Sequence, residues 1–107
     1  MLVVMTTVPT VEDAEKLAEL IVESRLAACV QILRQVTSVY FWEGKVQKEG
    51  EHLLLIKTLQ DNYDDLEKLI SVNHSYDTPE IVAIRVENVY EKYSTWISSV
   101  LVVIETR

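Results

Sequence analysis

Three side chains in this sequence are of types that bind metal ions or act as nucleophiles and bases, namely Cys29, His52 and His74. They are not spaced as C-x-x-C or H-x-x-x-H, so the pattern gives only a weak indication of a metal site. Cys29 lies in the apolar run 26–30, which favours a buried thiol over a metal or redox ligand. His74 lies at the end of a predicted helix, where it is either a last-turn cation or a ligand, and His52 is expected to face solvent.

Charged and aromatic residues indicate a second kind of site. Lys57 interrupts an apolar segment, and Glu80 opens a later β-rich segment. A charged residue on a central strand must be paired or face a cleft. Aromatic residues near these positions could wall such a cleft, or they could pack in the core or between subunits. We expect a polar cleft between subunits, formed by Tyr40, Trp42, Lys57, Tyr76 and Glu80, with His74 as the candidate metal ligand.

Several classes of function are disfavoured. Neither of the two glycines, Gly44 and Gly50, stands in a GxGxxG or GxxxxGK[ST] context, which excludes an ordinary nucleotide loop, and the chain has no nucleophile elbow. The net charge of -7 disfavours nucleic acid and anionic membranes and suits a metal cation or a basic partner. The sequence shows no signal peptide pattern and no apolar run of roughly 18 residues, so we expect a cytoplasmic protein without a membrane span.

The first half of the chain predicts two strands around one helix. Residues 2–5 are apolar on both faces, which is typical of a central strand. Thr10 stands where a helix N-cap should, and the apolar residues after it recur at helical spacing up to Val22. Residues 30–42 then alternate as an edge strand does, with an interruption near Arg34 and Gln35.

The second half begins with a hairpin. The segment Trp-Glu-Gly-Lys at 42–45 predicts a tight turn, and we place the returning strand at 51–59 with a bulge at Gly50. Asp61 is expected to cap the second helix, which ends near His74. A fourth strand at 80–86 and a third helix at 89–101 follow, while periodicity leaves open whether 100–104 continue that helix or start a strand.

The element order predicts the fold class. A single domain over residues 1–107 with the order β-α-β-β-α-β and an added C-terminal helix matches the α+β, ferredoxin-like split βαβ arrangement with an antiparallel sheet. The first and third strands are central in that fold, and these are the two strands that are apolar on both faces. Because both helices of the repeat cover one side of the sheet, the other side is expected to meet another subunit.

Six sequence pieces, in order, resemble the CutA family of divalent-ion tolerance proteins across nearly the whole chain. These pieces are Thr6 to Pro9, Arg25-Leu26-Ala27-Ala28-Cys29-Val30, Thr37-Ser38-Val39-Tyr40 with Trp42-Glu43-Gly44-Lys45, Leu54-Leu55-Ile56-Lys57-Thr58, His74-x-Tyr76-x-x-Pro79-Glu80, and Tyr93 with Trp96. The resemblance implies a ferredoxin-like subunit in a tight homotrimer whose sheets face inward, similar to PII signalling proteins. It also implies a link to tolerance of copper and other divalent cations, and no settled catalytic activity.

Two departures from the family pattern bear on this implied function. The family usually has a proline after the histidine, where this chain has Ser75. Copper-binding members can place a cysteine and a second histidine where this chain has Thr6 and Asn73, so His74 alone carries over as a candidate ligand. A single imidazole makes a weak copper site.

The sequence therefore leaves three functional hypotheses. The first is a trimeric binding or regulatory protein, not an enzyme, linked to divalent metal (copper) tolerance and homeostasis. The second is a small ferredoxin-like enzyme that uses the same cleft, with Lys57 or His74 as a general base. The third is a rigid assembly scaffold.

Overall fold

The computed structural model describes residues 1–103, and these form one four-stranded antiparallel sheet with helices. No helix in this part of the chain is long and apolar enough to span a membrane. The elements follow the predicted order, with one extra turn of 3₁₀ helix at Gln60–Asn62. Their bounds are β1 Leu2–Val8, α1 Val11–Glu23, β2 Cys29–Trp42, β3 Lys45–Thr58, α2 Tyr63–Asn73, β4 Val82–Arg85 and α3 Glu91–Val100.

The strand order in the sheet is β2-β3-β1-β4, so β1 and β3 are central as predicted. Every neighbouring pair is antiparallel, and β1 pairs with β3 along its whole length from Leu2 opposite Thr58 to Val8 opposite His52. The α+β, ferredoxin-like class is thereby confirmed. The first strand runs to Val8, beyond the predicted end at residue 5, because Thr6 and Thr7 continue the ladder with β3.

The core lies between the sheet and the first two helices. Helix α1 begins as predicted, since the Asp13 amide donates to the Thr10 hydroxyl over 3.1 Å. The buried stripes of the two helices meet the even-numbered side chains of the central strands. The main members of this core are Val4, Ala14, Leu17, Ile21, Leu54, Ile56, Leu66 and Ile70.

A smaller cluster closes one end of the sheet. Ile97 and Leu101 of the α3 region pack against Ala28, next to Leu59 and Tyr93. The helix ends at Val100, and Val102 and Val103 form neither helix nor strand, while Ile104 of the predicted 100–104 segment lies outside the described residues. Asn62 and Arg25 fix this segment, because the Asn62 side-chain amide donates to the Val102 carbonyl and the Arg25 carbonyl accepts from the Val102 amide, both at 2.8 Å.

The hairpin that joins β2 to β3 has the predicted turn. Glu43 and Gly44 both have positive φ, 52° and 79°, as a two-residue type I′ turn requires. The returning strand begins at Lys45, directly after the turn, so the predicted start at residue 51 is wrong. Charged and polar residues fill its first half because this half has little core to cover.

The bulge lies on β2 and not at Gly50, which pairs regularly with Thr37. Register shifts between Leu33 and Val36, where Arg34 and Gln35 stand opposite the single residue His52. At the bulge, the backbone amide of Gln35 has no partner on the neighbouring strand's backbone. It donates instead to His52 Nδ1 over 3.2 Å, so its hydrogen bond is still made. The predicted interruption of this strand is confirmed, and His52 serves the bulge instead of simply facing solvent.

The predicted cap at Asp61 is wrong. Asp61 lies inside the 3₁₀ turn, Asn62 precedes α2, and neither side chain caps the helix. Asn62 is buried, and its side chain is bonded to the C-terminal segment instead.

Within residues 1–103, the side of the sheet away from α1 and α2 meets α3 at one end, where the Tyr93 ring lies near Lys57, and is otherwise uncovered; we call this side the open face. Register places the odd-numbered residues of β1 and β3 on it, together with alternate residues of the two edge strands. Val82 and Ile84 of β4 are 45% and 50% exposed, which is unusual for strand residues of this type. Its apolar members on β1, β3 and β4 are Val3, Met5, Leu53, Leu55, Val82 and Ile84.

Candidate functional site

His74 follows the last residue of α2 and ties the next loop to β1. Its Nδ1 accepts a 3.1 Å hydrogen bond from the Tyr76 backbone amide, and its Nε2 lies 3.1 Å from the Thr6 hydroxyl. Because an amide can only donate, Nδ1 is unprotonated, and the neutral ring carries its proton on Nε2 and donates it to Thr6. The loop is therefore held in place by both ring nitrogens.

Burial of the ring lowers the pKa of His74 from its ordinary value of 6.5. The nearby backbone of Thr7 and the carboxylates of Asp13 and Glu51 act on this pKa in the opposite direction and do not reverse the shift. The imidazole is thus neutral at pH 7, in agreement with the tautomer that the hydrogen bonds require.

Tyr76 connects the same loop to the base of the hairpin. Its hydroxyl donates to Glu51 Oε2 over 2.8 Å, and its ring lies 5.2 Å from that of His74. Glu51 is only 7% exposed, although it is a carboxylate on the open face. Burial, the bond to Glu51 and the nearby charge of Glu49 raise the pKa of the Tyr76 phenol far above its usual range.

Tyr40 completes this group from β2. Desolvation of the phenol and the neighbouring carboxylates of Glu49 and Glu51 raise the pKa of Tyr40. We call the five residues Tyr40, Glu49, Glu51, His74 and Tyr76 the tyrosine–glutamate cluster. It joins both strands of the hairpin and the loop after α2, and it concentrates negative charge beside two phenols and a neutral imidazole. Such a surface attracts cations and hydrogen-bond donors.

The other predicted cleft residues lie elsewhere in the single chain. Lys57 is six residues from Glu51 along β3, roughly 20 Å at the usual rise of a strand. Its ammonium lies 5.5 Å from the centre of the Tyr93 ring, and Tyr93 in turn contacts Trp96 with 5.7 Å between ring centres. The structure therefore brings Tyr40 and Tyr76 together with His74, and it places Lys57 with a different aromatic pair.

Trp42 and Glu80 are both exposed. Trp42 lies at the end of β2 beside the hairpin turn, on the same side of the strand as Tyr40, and is 59% exposed. Glu80 lies in the loop that leads to β4 and forms no ion pair within residues 1–103. Since the predicted cleft lies between subunits, the single chain shows one wall of it.

The residues present do not form a metal centre within one chain. Residues 1–103 contain no group of three His, Cys, Asp or Glu side chains that could hold an ion. Both nitrogens of His74 are already used, so a metal at either one must displace Tyr76 or Thr6. Cys29, which the sequence predicts to be buried, is partly exposed and lies on β2 opposite Lys57.

A surface cavity of about 270 Å³ lies on the other side of His74, between α1 and the end of α2. Ser75 crosses its rim, where its hydroxyl donates to the Asp13 carboxylate over 3.2 Å. The lining mixes charged, polar and apolar groups, from Val8, Asp13, Lys16, Leu17, Leu20, Asn73, His74 and Ser75.

Three residues of the cluster region are absent from the site that the sequence predicts, namely Glu49, Glu51 and Thr6. Glu51 stands at the boundary between the charged and apolar halves of β3. A carboxylate beside a run that is apolar on both faces must be paired or buried with a hydrogen-bond donor, so this boundary could have indicated Glu51 as a site residue. Thr6 continues β1 and faces the core side, where it is fully buried. Nothing in its local pattern indicates a partner 68 residues away.

Comparison with known proteins gives a consistent result. The family model described as CutA1 divalent ion tolerance protein matches residues 2–100. "Protein CutA, chloroplastic" of Arabidopsis thaliana is 45% identical over 98 residues, which are 92% of this chain and 54% of that protein. The divalent-cation tolerance protein CutA of Thermus thermophilus is 41% identical over 95 residues, covering 89% of this chain and 92% of that one. The chain thus spans about half the length of the plant relatives it matches.

Solved structures share the fold. CutA1 from Oryza sativa superposes with a TM-score of 0.92 at 42% identity, covering 94% of this chain and 92% of that one. A periplasmic divalent cation tolerance protein CutA from Archaeoglobus fulgidus gives a TM-score of 0.89 at 33% identity, covering 94% and 98%. Both superpositions cover nearly all of the described residues.

Proposed function

This chain belongs to the CutA1 family of divalent ion tolerance proteins, and on that premise we propose that it acts in divalent-cation tolerance as a homotrimeric binding protein and not as an enzyme. The observation that carries the proposal is the open face. Both central strands present apolar side chains on the side away from α1 and α2, which α3 reaches within residues 1–103 at the Lys57 end. A face of this kind is typical of subunit interfaces.

Assembly is the first part of the proposal to test. Sedimentation equilibrium at micromolar concentration should give the mass of three 12.3 kDa chains. A well-behaved monomer under these conditions would contradict the trimer, because an open apolar face of this extent could then not be its interface.

The predicted cation is copper or another divalent ion, and the predicted ligand is His74. The geometry supports only a weakly held ion, because His74 already has two hydrogen-bond partners and one imidazole supplies a single ligand. We therefore propose transient contact with a cation, not a resident metal centre.

Calorimetric titration of copper(II) into the assembled protein tests the ligand. We expect weak binding that is lost in His74→Gln and kept in His52→Gln, a matched control whose ring serves the β2 bulge. Unchanged binding in His74→Gln would show that His74 is not the ligand. Growth of copper-stressed cells that carry either variant would test the role in tolerance itself.

The enzyme alternative is less well supported. It depends on Lys57 or His74 as a general base, and within the chain Lys57 lies against the Tyr93 ring while both ring nitrogens of His74 are hydrogen-bonded. The cytoplasmic location stays a prediction, since relatives carry chloroplastic and periplasmic names. Nucleic acid remains a disfavoured partner at a net charge of -7.

A further inference from the structure

Glu51 is a carboxylate with almost no exposure, and it has no cationic partner among residues 1–103. It is 7% exposed, and in the described part of the chain its side chain receives one hydrogen bond, from the neutral Tyr76 hydroxyl to Oε2. The ion pair that the described residues form joins Arg34 to Glu15, on the other side of the sheet. A buried carboxylate with one neutral donor is poorly compensated, so its surroundings in the working protein should supply a positive charge.

A cation that pairs with Glu51 can approach it only from the open face. Glu51 faces the open side of the sheet. Its second carboxylate oxygen, Oε1, has no hydrogen-bond partner in residues 1–103 and is not fully buried, so it still reaches the surface of the single chain. The same surface continues into the apolar residues Leu53 and Leu55, which the proposed assembly covers. A second copy seated there would bury Glu51 completely.

The open face carries few cations of its own. Alternation along β3 places two lysines on it, Lys45 beside the hairpin turn and Lys57 at the far end. Each is six residues from Glu51, roughly 20 Å along the strand, so neither reaches it within the chain. Lys57 already lies over the Tyr93 ring, whereas Lys45 is exposed on the part of the hairpin that extends furthest from the body.

We propose that Glu51 forms an ion pair with Lys45 of a second copy of this chain, so that the tyrosine–glutamate cluster is complete only between subunits. The pair joins the base of one hairpin to the tip of the next. This inference rests on the proposed homotrimer, and it adds the residues that hold the hairpins in register.

A double-mutant cycle on the assembled protein tests the pair. The variants are Glu51→Gln, Lys45→Gln and the two combined, and the quantity measured is the dissociation constant of the trimer, from sedimentation over a dilution series. For a close, desolvated pair we expect each single substitution to raise this constant by at least about tenfold, and the double variant to be no weaker than either single one.

Lys48→Gln is the matched control, because Lys48 lies three residues from Lys45 on the opposite face of the same hairpin. It should leave the constant within about twofold of the wild type. Additive effects of Glu51→Gln and Lys45→Gln, or coupling of Glu51 to Lys57 instead, would overturn the assignment while the wild type remains a trimer. A monomeric wild type would contradict the proposed function itself, so the two failures are distinguishable.

Discussion

Tyr76 is the residue that connects the loop after α2 to the hairpin, and a single hydroxyl makes the connection. Tyr76→Phe would leave the buried Glu51 carboxylate without its donor. Removing a hydrogen bond to a charged, buried acceptor costs about 1.5–3 kcal/mol, and we expect the free energy of unfolding to fall by that amount in urea titrations.

Tyr63→Phe provides the control for this prediction. Its hydroxyl makes a bond of the same 2.8 Å length to Glu67, but both groups lie on the exposed side of α2. We expect a loss of no more than about 0.5 kcal/mol there. Equal effects of the two substitutions would show that burial of Glu51 adds nothing to the strength of the bond.

His74 makes a prediction about pH. Because burial lowers its pKa in the folded chain, the unfolded chain binds more protons between the folded value and 6.5. Stability therefore falls as the pH drops through that range, and the Tyr76 amide then faces a protonated Nδ1. Urea midpoints at pH 7.5 and 5.5 should differ more for the wild type than for His74→Gln. An equal difference would assign the pH dependence to other groups.

At the scale of the element, the hairpin turn depends on one glycine. Gly44 has φ +79°, where a Cβ is strained, although nothing lies within 4 Å of the added atom. Gly44→Ala should therefore cost about 1–2 kcal/mol of unfolding free energy through the backbone alone. Gly50→Ala has ordinary backbone geometry and meets only the Gln35 side chain at 3.9 Å, so we expect it to be neutral or slightly stabilising. The reverse order in urea titrations would contradict the type I′ assignment.

The hairpin also shows where sequence patterns suffice and where they fail. The turn was predictable because Gly44, between two β-rich segments, tolerates the positive φ that a two-residue hairpin turn requires. The central positions of β1 and β3 were predictable from their doubly apolar runs. Glycine often marks a bulge, which predicts one at Gly50, but the structure places the bulge at Gln35. There the Gln35 backbone amide donates a hydrogen bond to His52, which is 17 residues away in the sequence. Partners of this kind depend on tertiary contacts and leave no local pattern.

At the scale of the whole molecule, the open face makes a prediction about assembly. Leu55 lies on this face opposite Met5 of β1, and Leu55→Glu should give a monomer in sedimentation velocity, because a charge there opposes burial of the whole face. Val72→Glu is the matched control, since Val72 is 73% exposed on α2 and should leave the trimer unchanged. Loss of assembly in both variants would indicate a general effect of added negative charge.

The candidate site was predictable in part at this scale. Tyr40, Tyr76 and His74 do converge within one chain, since the hairpin base and the loop after α2 meet beyond the end of β4. Lys57 could not be placed from its pattern, because a charge on a central strand shows only that it has a partner and not which one. In the structure one partner of Lys57 is the Tyr93 ring, on a helix 36 residues further along the chain.

The one extra residue in the β2 bulge determines which side of the sheet each later side chain of β2 faces. Before the bulge the odd-numbered residues of β2 share the open face with Leu53 and Leu55, and after it the even-numbered residues do. If the same residues continued past Leu33 in an unbroken alternation, without the bulge, Tyr40 and Trp42 would turn to the opposite side of the hairpin. The extra residue thus lets one ladder combine the core register of Leu33 with Leu53 and the two-residue turn at Glu43 and Gly44, with Tyr40 and Trp42 on the open face.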